Sequence, residues 1–116
     1  MAYEGKCHCG AVAFTVGADL PAEATRCNCS HCRAKGLVLT YQPAEAVTVT
    51  QGEDTLVTYM FNRHRLQHRL CGTCGTQVFT EGKRPDGSGV RAVNLRAVPS
   101  CDLESLALKH YDGAAL

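Results

Sequence analysis

The sequence predicts a small, mainly β fold, and three observations carry that prediction. Short apolar runs alternate with a period of two, as half-buried strands do. Gly-, Asp- and Pro-containing turn signals separate these runs at short intervals. No segment sustains a 3.6-residue period. Spacing alone suggests roughly seven to nine short strands.

Taken in order, residues 11–16 (AVAFTV) place Val12, Phe14 and Val16 on one face and read as a strand. Residues 37–41 (LVLTY), 46–50 (AVTVT) and 55–61 (TLVTYMF) read as three more, with the turn Gln51-Gly52-Glu53-Asp54 between the last two. Residues 66–70 and 76–80 flank Cys-Gly-Thr-Cys-Gly and predict a hairpin. Residues 81–89 (EGKRPDGSG) hold three Gly and a Pro and read as a plain connecting loop. Residues 90–98 alternate less cleanly. Residues 100–106 begin with a candidate Ser cap and predict one short helix. Residues 108–111 close the chain as an edge strand.

A length of 116 residues predicts a single domain, residues 1–116, large enough for a real core. Hydrophobic content of 45% and charged content of 20% exclude a disordered chain. No uncharged apolar run approaches the length of a membrane span, and residues 1–10 lack a signal-type apolar stretch, so the expectation is a cytoplasmic protein. A net charge of +1 gives no general attraction to nucleic acid or membrane.

The anomalous count is eight cysteines. In a reducing compartment such a density points to metal before disulfides. Cys7-His8-Cys9 is a C-x-C, Cys27-Asn28-Cys29-Ser30-His31-Cys32 a C-x-C-x-x-C, and Cys71-Gly72-Thr73-Cys74-Gly75 a C-x-x-C; Cys101 stands alone. A C-x-x-C turn folds two sulfurs round one ion, with Gly75 easing the turn. In C-x-C on extended backbone both side chains leave one face. Cys7, Cys9, Cys71 and Cys74 can therefore form one Cys₄ zinc site. Closing the Cys9–Cys71 loop costs roughly 4 kcal/mol in chain entropy, against roughly 10–16 kcal/mol from a structural zinc.

Cys27, Cys29 and Cys32 then remain, and three ligands with an open fourth position suit a catalytic zinc. Three alternatives stand beside this: His31 or a distant residue closes the site, the triad is an empty thiol cluster, or it pairs with Cys71 and Cys74. Iron–sulfur spacings are missing.

The stretches GKCHCGAVAF, RCNCSHCRAKG, HRLCGTCGTQVF and VNLRAV…DLESLALKHYDG resemble the glutathione-dependent formaldehyde-activating enzyme family, to which centromere protein V is related. The resemblance runs from about residue 6 to residue 113, as a short, single-domain member. It implies a fold of several coiled antiparallel sheets, like that of methionine-R-sulfoxide reductases. It implies that Cys7, Cys9, Cys71 and Cys74 hold a structural zinc and that Cys27, Cys29 and Cys32 hold a catalytic one. The implied activity is that of a carbon–sulfur lyase of the S-(hydroxymethyl)glutathione synthase type, with glutathione and formaldehyde as thiol and aldehyde.

Other residues carry weaker expectations. Arg63, His64, Arg65, His68 and Arg69 form a basic stretch. On a strand, His64, Leu66, His68 and Leu70 share one face. The stretch reads either as recognition of an anionic substrate group, such as a glutathione carboxylate, or as a phosphate patch. The expected reading is neither of these: charges guarding a solvated edge strand. His8 and His31 are expected to face solvent, His110 and Tyr111 to pack, and Cys101 to be a small buried apolar residue. No carboxylate is placed well enough to be assigned as a general acid or base.

Two other functions compete with the enzyme. One is a non-catalytic, zinc-stabilised module that binds protein or nucleic acid. Bound thiolates and zinc would bring its charge below zero, which argues against nucleic acid. The other is a thiol redox or metal-buffering role for the triad. Exposed strand edges leave room for a homodimer.

Overall fold

In the computed structural model, which describes residues 2–61 and 63–115, ten strands form two sheets. β1 (Tyr3–Lys6), β2 (Ala13–Val16) and β5 (Val47–Gln51) make an antiparallel sheet in the order β1-β2-β5. The second sheet contains β3 (Glu23–Cys27), β4 (Leu39–Pro43), β6 (Leu56–Tyr59), β7 (Gln67–Cys71), β8 (Gln77–Lys83), β9 (Gly89–Asn94) and β10 (Ala107–Tyr111). Its order is β10-β3-β4-β9-β8-β7-β6. Every pairing is antiparallel except β10 on β3, which is parallel. One helix, α1 (Ser30–Lys35), joins β3 to β4. No helix among the described residues is long and apolar enough to cross a membrane.

The predicted alternation at Val12, Phe14 and Val16 is real, and all three are buried. Phe14 meets Phe79 of β8 edge to face, with ring centroids 6.2 Å apart, so the core lies between the two sheets. Val78, Val93 and Leu95 complete its centre.

Several local expectations need correction. The loop predicted over residues 81–89 is shorter than expected: β8 and β9 stay paired out to Lys83 and Gly89, leaving residues 84–88. The connection shrinks to a turn closed by Arg84 N–H donating to Ser88 O at 2.9 Å. The helix predicted over residues 100–106 is one 3₁₀ turn, Leu103–Ser105. Its cap is Asp102, not Ser100. β1, β3 and α1 were not predicted; each is short, and none of the three has a long apolar run.

One face of the larger sheet positions the cysteine triad. Register aligns Tyr59, His68, Thr80, Ala92 and Tyr41 in a row across β6, β7, β8, β9 and β4. α1 lies on this face. Cys32 packs against Leu37, Leu39 and Ala92, and His31 stacks on Tyr59 and His68.

Candidate metal centres

Two knuckles bring the first four sulfurs together. After β1, Gly10 N–H donates to Cys7 O at 3.2 Å and Cys7 N–H to Val12 O at 3.0 Å, turning the chain back into β2. After β7, Gly75 N–H donates to Cys71 O at 2.9 Å, and Gly75 takes the positive φ, 82°, that its position in the motif predicts. The four Sγ atoms of Cys7, Cys9, Cys71 and Cys74 lie within 4.8 Å of one another.

Cys7 Sγ is 3.6 Å from Cys9 Sγ, and Cys9 Sγ is 3.7 Å from Cys71 Sγ. A tetrahedron with zinc–sulfur arms of about 2.3 Å has edges of about 3.8 Å, so the spacing fits the ion. Amide donors support thiolates here: Val12 N–H on Cys7 at 3.3 Å, Thr73 N–H on Cys71 at 3.3 Å and Cys74 N–H on Cys71 at 3.4 Å. The Thr76 hydroxyl, 3.4 Å from Cys74 Sγ, favours the thiolate and takes Cys74 down to about 5. Cys9 receives the Ala11 N–H, but loss of water and the neighbouring sulfurs push it up to about 11. Four thiolates at this distance repel one another, and a divalent cation at their centre removes the opposition.

The second group is more open. Cys27 ends β3, Cys29 caps α1 by accepting the Cys32 N–H at 3.3 Å, and Cys32 lies within the helix. Cys29 N–H points at Cys27 Sγ at 3.5 Å. The three sulfurs lie within 4.8 Å of one another, all half-buried. Burial opposes the Cys29 thiolate, but the Cys32 amide and the neighbouring cysteines outweigh it, and the net shift is downward. Burial, reinforced by Cys29, raises Cys32. Among the described residues the group has no fourth thiol, imidazole or carboxylate. Cys71 and Cys74 belong to the other group, and His31 does not close this one.

Asn28, which the sequence analysis passed over, ties the C-terminal segment across the triad. Its backbone N–H donates to Tyr111 O at 3.1 Å and its Nδ2 to Asp112 Oδ1 at 2.9 Å, while its Oδ1 accepts Ala114 N–H at 2.9 Å. Gly113 is thereby laid against the cysteines, and a Cβ there would run into Cys27 Sγ. Replacing Gly113 with valine is expected to lower zinc at the triad below half occupancy. The first group should keep its metal and the melting temperature should move by only a few degrees. Zinc per chain and a thermal melt check this. Tyr41 and Tyr111 border the same place. Burial, and then Cys27 and Cys32, raise the Tyr41 phenol, so it keeps its proton. Tyr111 and His110 are exposed, contrary to the expected packing, because β10 is a sheet edge.

His31 and His68 also depart from expectation. His31 is buried, not solvent-facing, and both of its ring nitrogens lack a partner. Its ring lies 4.0 Å from that of His68 and 5.1 Å from that of Phe61, centroid to centroid. A polar chain fixes His68. Lys35 Nζ donates to Gln77 Oε1 at 2.6 Å, Gln77 Nε2 donates to Thr80 Oγ1 at 2.9 Å, and Thr80 Oγ1 lies 2.9 Å from His68 Nδ1. Lys35 can only donate, so Gln77 turns its oxygen toward Lys35 and its amide toward the Thr80 hydroxyl, which in turn holds His68 Nδ1. Burial first, then nearby positive groups, take both histidines down to about 4 and hold them neutral.

The basic stretch is not an edge strand. β7 lies between β6 and β8, and His64 has φ 55°, so the predicted alternation breaks before Leu66. His8 is exposed as expected, and Cys101 packs half-buried against the core.

These features define a class: a mainly β protein whose cysteines form one four-sulfur and one three-sulfur group, each able to hold a metal ion. The chain matches the family model of the glutathione-dependent formaldehyde-activating enzyme over residues 2–104, and it belongs to that family. It is also similar to the crystal structure of a Rhodobacter sphaeroides protein, with 27% identity and a TM-score of 0.76. That match covers 91% of this chain and 99% of the other.

Proposed function

We propose that the protein is a zinc-dependent carbon–sulfur lyase that forms or breaks a thiol–aldehyde adduct such as S-(hydroxymethyl)glutathione. In this reading Cys7, Cys9, Cys71 and Cys74 hold a structural zinc, and Cys27, Cys29 and Cys32 hold a catalytic one. The observation that carries it is the contrast between the groups: four sulfurs at tetrahedral spacing in one, three in the other with no fourth ligand beside them among the described residues. Family membership supports the choice of thiol and aldehyde.

The reaction is balanced without any other reactant. A bond forms between the thiol sulfur and the aldehyde carbon, and the thiol proton ends on the aldehyde oxygen; the reverse reaction undoes both. Bound zinc supplies Lewis acidity, which favours a thiolate or polarises a carbonyl. The chain's own residues set the stage. The Cys32 amide favours the thiolate of Cys29 against its burial. Asn28 holds residues 111–114 against the triad. Tyr41 keeps its proton within electrostatic reach of all three sulfurs, a donor for an oxygen at the open corner.

The test is zinc content and turnover on the same sample. Two zinc ions per chain are expected, one of them removed by mild dialysis against EDTA. Exchange between glutathione and ¹³C-formaldehyde, followed by NMR, should stop with that loss and return with added zinc. A single tightly held zinc that added metal cannot raise to two would overturn the catalytic site. Retention of the protein on heparin, weakened by salt, would favour a binding module instead.

A further inference from the structure

We propose that a cavity beside β7, β8 and β9, separate from both cysteine groups, binds a small organic anion with an apolar body: an aryl or alkyl carboxylate. The cavity encloses about 770 Å³, inside the range of roughly 300–1,000 Å³ common to small-molecule sites. None of the seven cysteines of the two metal groups lines it.

Its charge is one-sided. Among the described residues Glu81 is the only acid on its wall, and that carboxylate is already taken, by Arg91 at 2.7 Å and Arg69 at 3.5 Å. Both terminal nitrogens of Arg91 are engaged, one by Glu81 and the other donating to Val47 O at 2.7 Å, and its guanidinium lies over the Phe79 ring at 4.7 Å. Arg63, Arg65 and Lys83 remain. They reach the cavity from two separate segments, and no acid pairs with them among the described residues. Arg63 and Arg65 lie in the connection between β6 and β7, and Lys83 ends the interior strand β8. His68 adds a neutral ring to the wall.

Apart from Gln67, the rest of the lining is apolar or glycine. Phe61, Leu66 and Val90 face the space, and Leu66 is 49% exposed although charged residues surround it. Leu66 also lies over Gly82, where the missing side chain leaves it room. An apolar surface left in water beneath a set of unpaired cations matches a ligand with both features. Glutathione, polar along its whole length, matches only the charge. The site does not depend on the lyase reading.

The experiment uses metal-loaded protein and 8-anilinonaphthalene-1-sulfonate as a fluorescent probe, displaced by 4-phenylbutanoate, 4-phenylbutanol, glutathione or inorganic phosphate. The expected result is that 4-phenylbutanoate displaces the probe at least tenfold better than the other three. In ¹⁵N spectra it should move the amides of Leu66, Gly82 and Val90. Arg63→Ala with Arg65→Ala should weaken binding about tenfold or more, and Lys83→Ala should weaken it separately. Lys109→Ala, on the far edge strand, should not change it. Equal displacement by 4-phenylbutanol would overturn the anionic requirement, and equal displacement by phosphate would overturn the apolar one. Glutathione competing best would overturn the proposed ligand class while leaving the lyase reading standing. Binding within twofold of wild type in both cation variants would overturn the site.

Discussion

Replacing Cys71 with serine is expected to leave a chain that does not fold at 25 °C. Cys71 is fully buried at the end of β7, and its sulfur lies 3.7 Å from that of Cys9, 62 residues earlier. That junction joins the small sheet to the large one, because Cys7 and Cys9 sit between β1 and β2. A structural zinc contributes roughly 10–16 kcal/mol in small metal-dependent folds, whereas a whole domain is stable by only about 5–15 kcal/mol. Losing one thiolate leaves three, and the buried serine hydroxyl is a poor replacement. A ¹⁵N spectrum should collapse to the narrow dispersion of an unfolded chain, with no cooperative melt. Cys101→Ser, half-buried outside both groups, is the control and should keep the wild-type spectrum. If Cys71→Ser melts cooperatively within a few degrees of wild type, the four-sulfur group does not hold the fold together.

What the sequence made legible follows the range of the interaction concerned. Thiolate clusters announce themselves because two ligands of one ion must sit two or three residues apart. Cys7 with Cys9 and Cys71 with Cys74 obey that rule, and so does the whole triad. Which pairs come together is a long-range fact, and the structure gathers Cys7, Cys9, Cys71 and Cys74 in one group and Cys27, Cys29 and Cys32 in another. Strands with a buried face were legible through alternation, as in β2. β3 (EATRC) was not, because only Ala24 is buried in it; the sheet neighbours, not the residues, make it a strand. α1 is too short for a helical period, and its cap is a cysteine rather than one of the usual capping residues.

His31 illustrates the other limit. In sequence it is a polar residue inside a metal motif, and solvent exposure is the natural reading. Its burial comes from Tyr59 of β6, Phe61 just beyond it and His68 of β7, all far along the chain. The basic stretch failed for a related reason. Its charges suggested an edge strand, but Arg63, His64 and Arg65 lie in the connection between β6 and β7, and only His68 and Arg69 belong to a strand, the interior β7. Asn28 was the most readable omission. A side chain with both a donor and an acceptor, between two cysteines, is suited to fastening a second segment over them.

Cys32→Ser is expected to do the opposite of Cys71→Ser: keep the fold, lose one zinc per chain and abolish turnover. The difference lies in loop length. Cys27, Cys29 and Cys32 span six residues at the β3–α1 junction, so a metal there closes a loop the chain already closes by itself. Cys29 accepts the Cys32 amide, and Leu37 N–H donates to Cys32 O at 3.1 Å. Cys32 also packs on Leu37, Leu39 and Ala92, and serine preserves most of that contact. Two sulfurs and a hydroxyl bind zinc poorly, and a reaction that depends on the metal should slow by about a thousandfold or more, which is about 4 kcal/mol of barrier. The measurement pairs zinc per chain with the glutathione–formaldehyde exchange rate, against a thermal melt of the same sample. One zinc, a near-native melt and no exchange is the expected triplet. One zinc with normal exchange would move the chemistry away from the triad. An unfolded chain would make the triad structural and reverse the roles assigned to the two groups, since the metal holding the fold together would then be the one bound by residues 27–32.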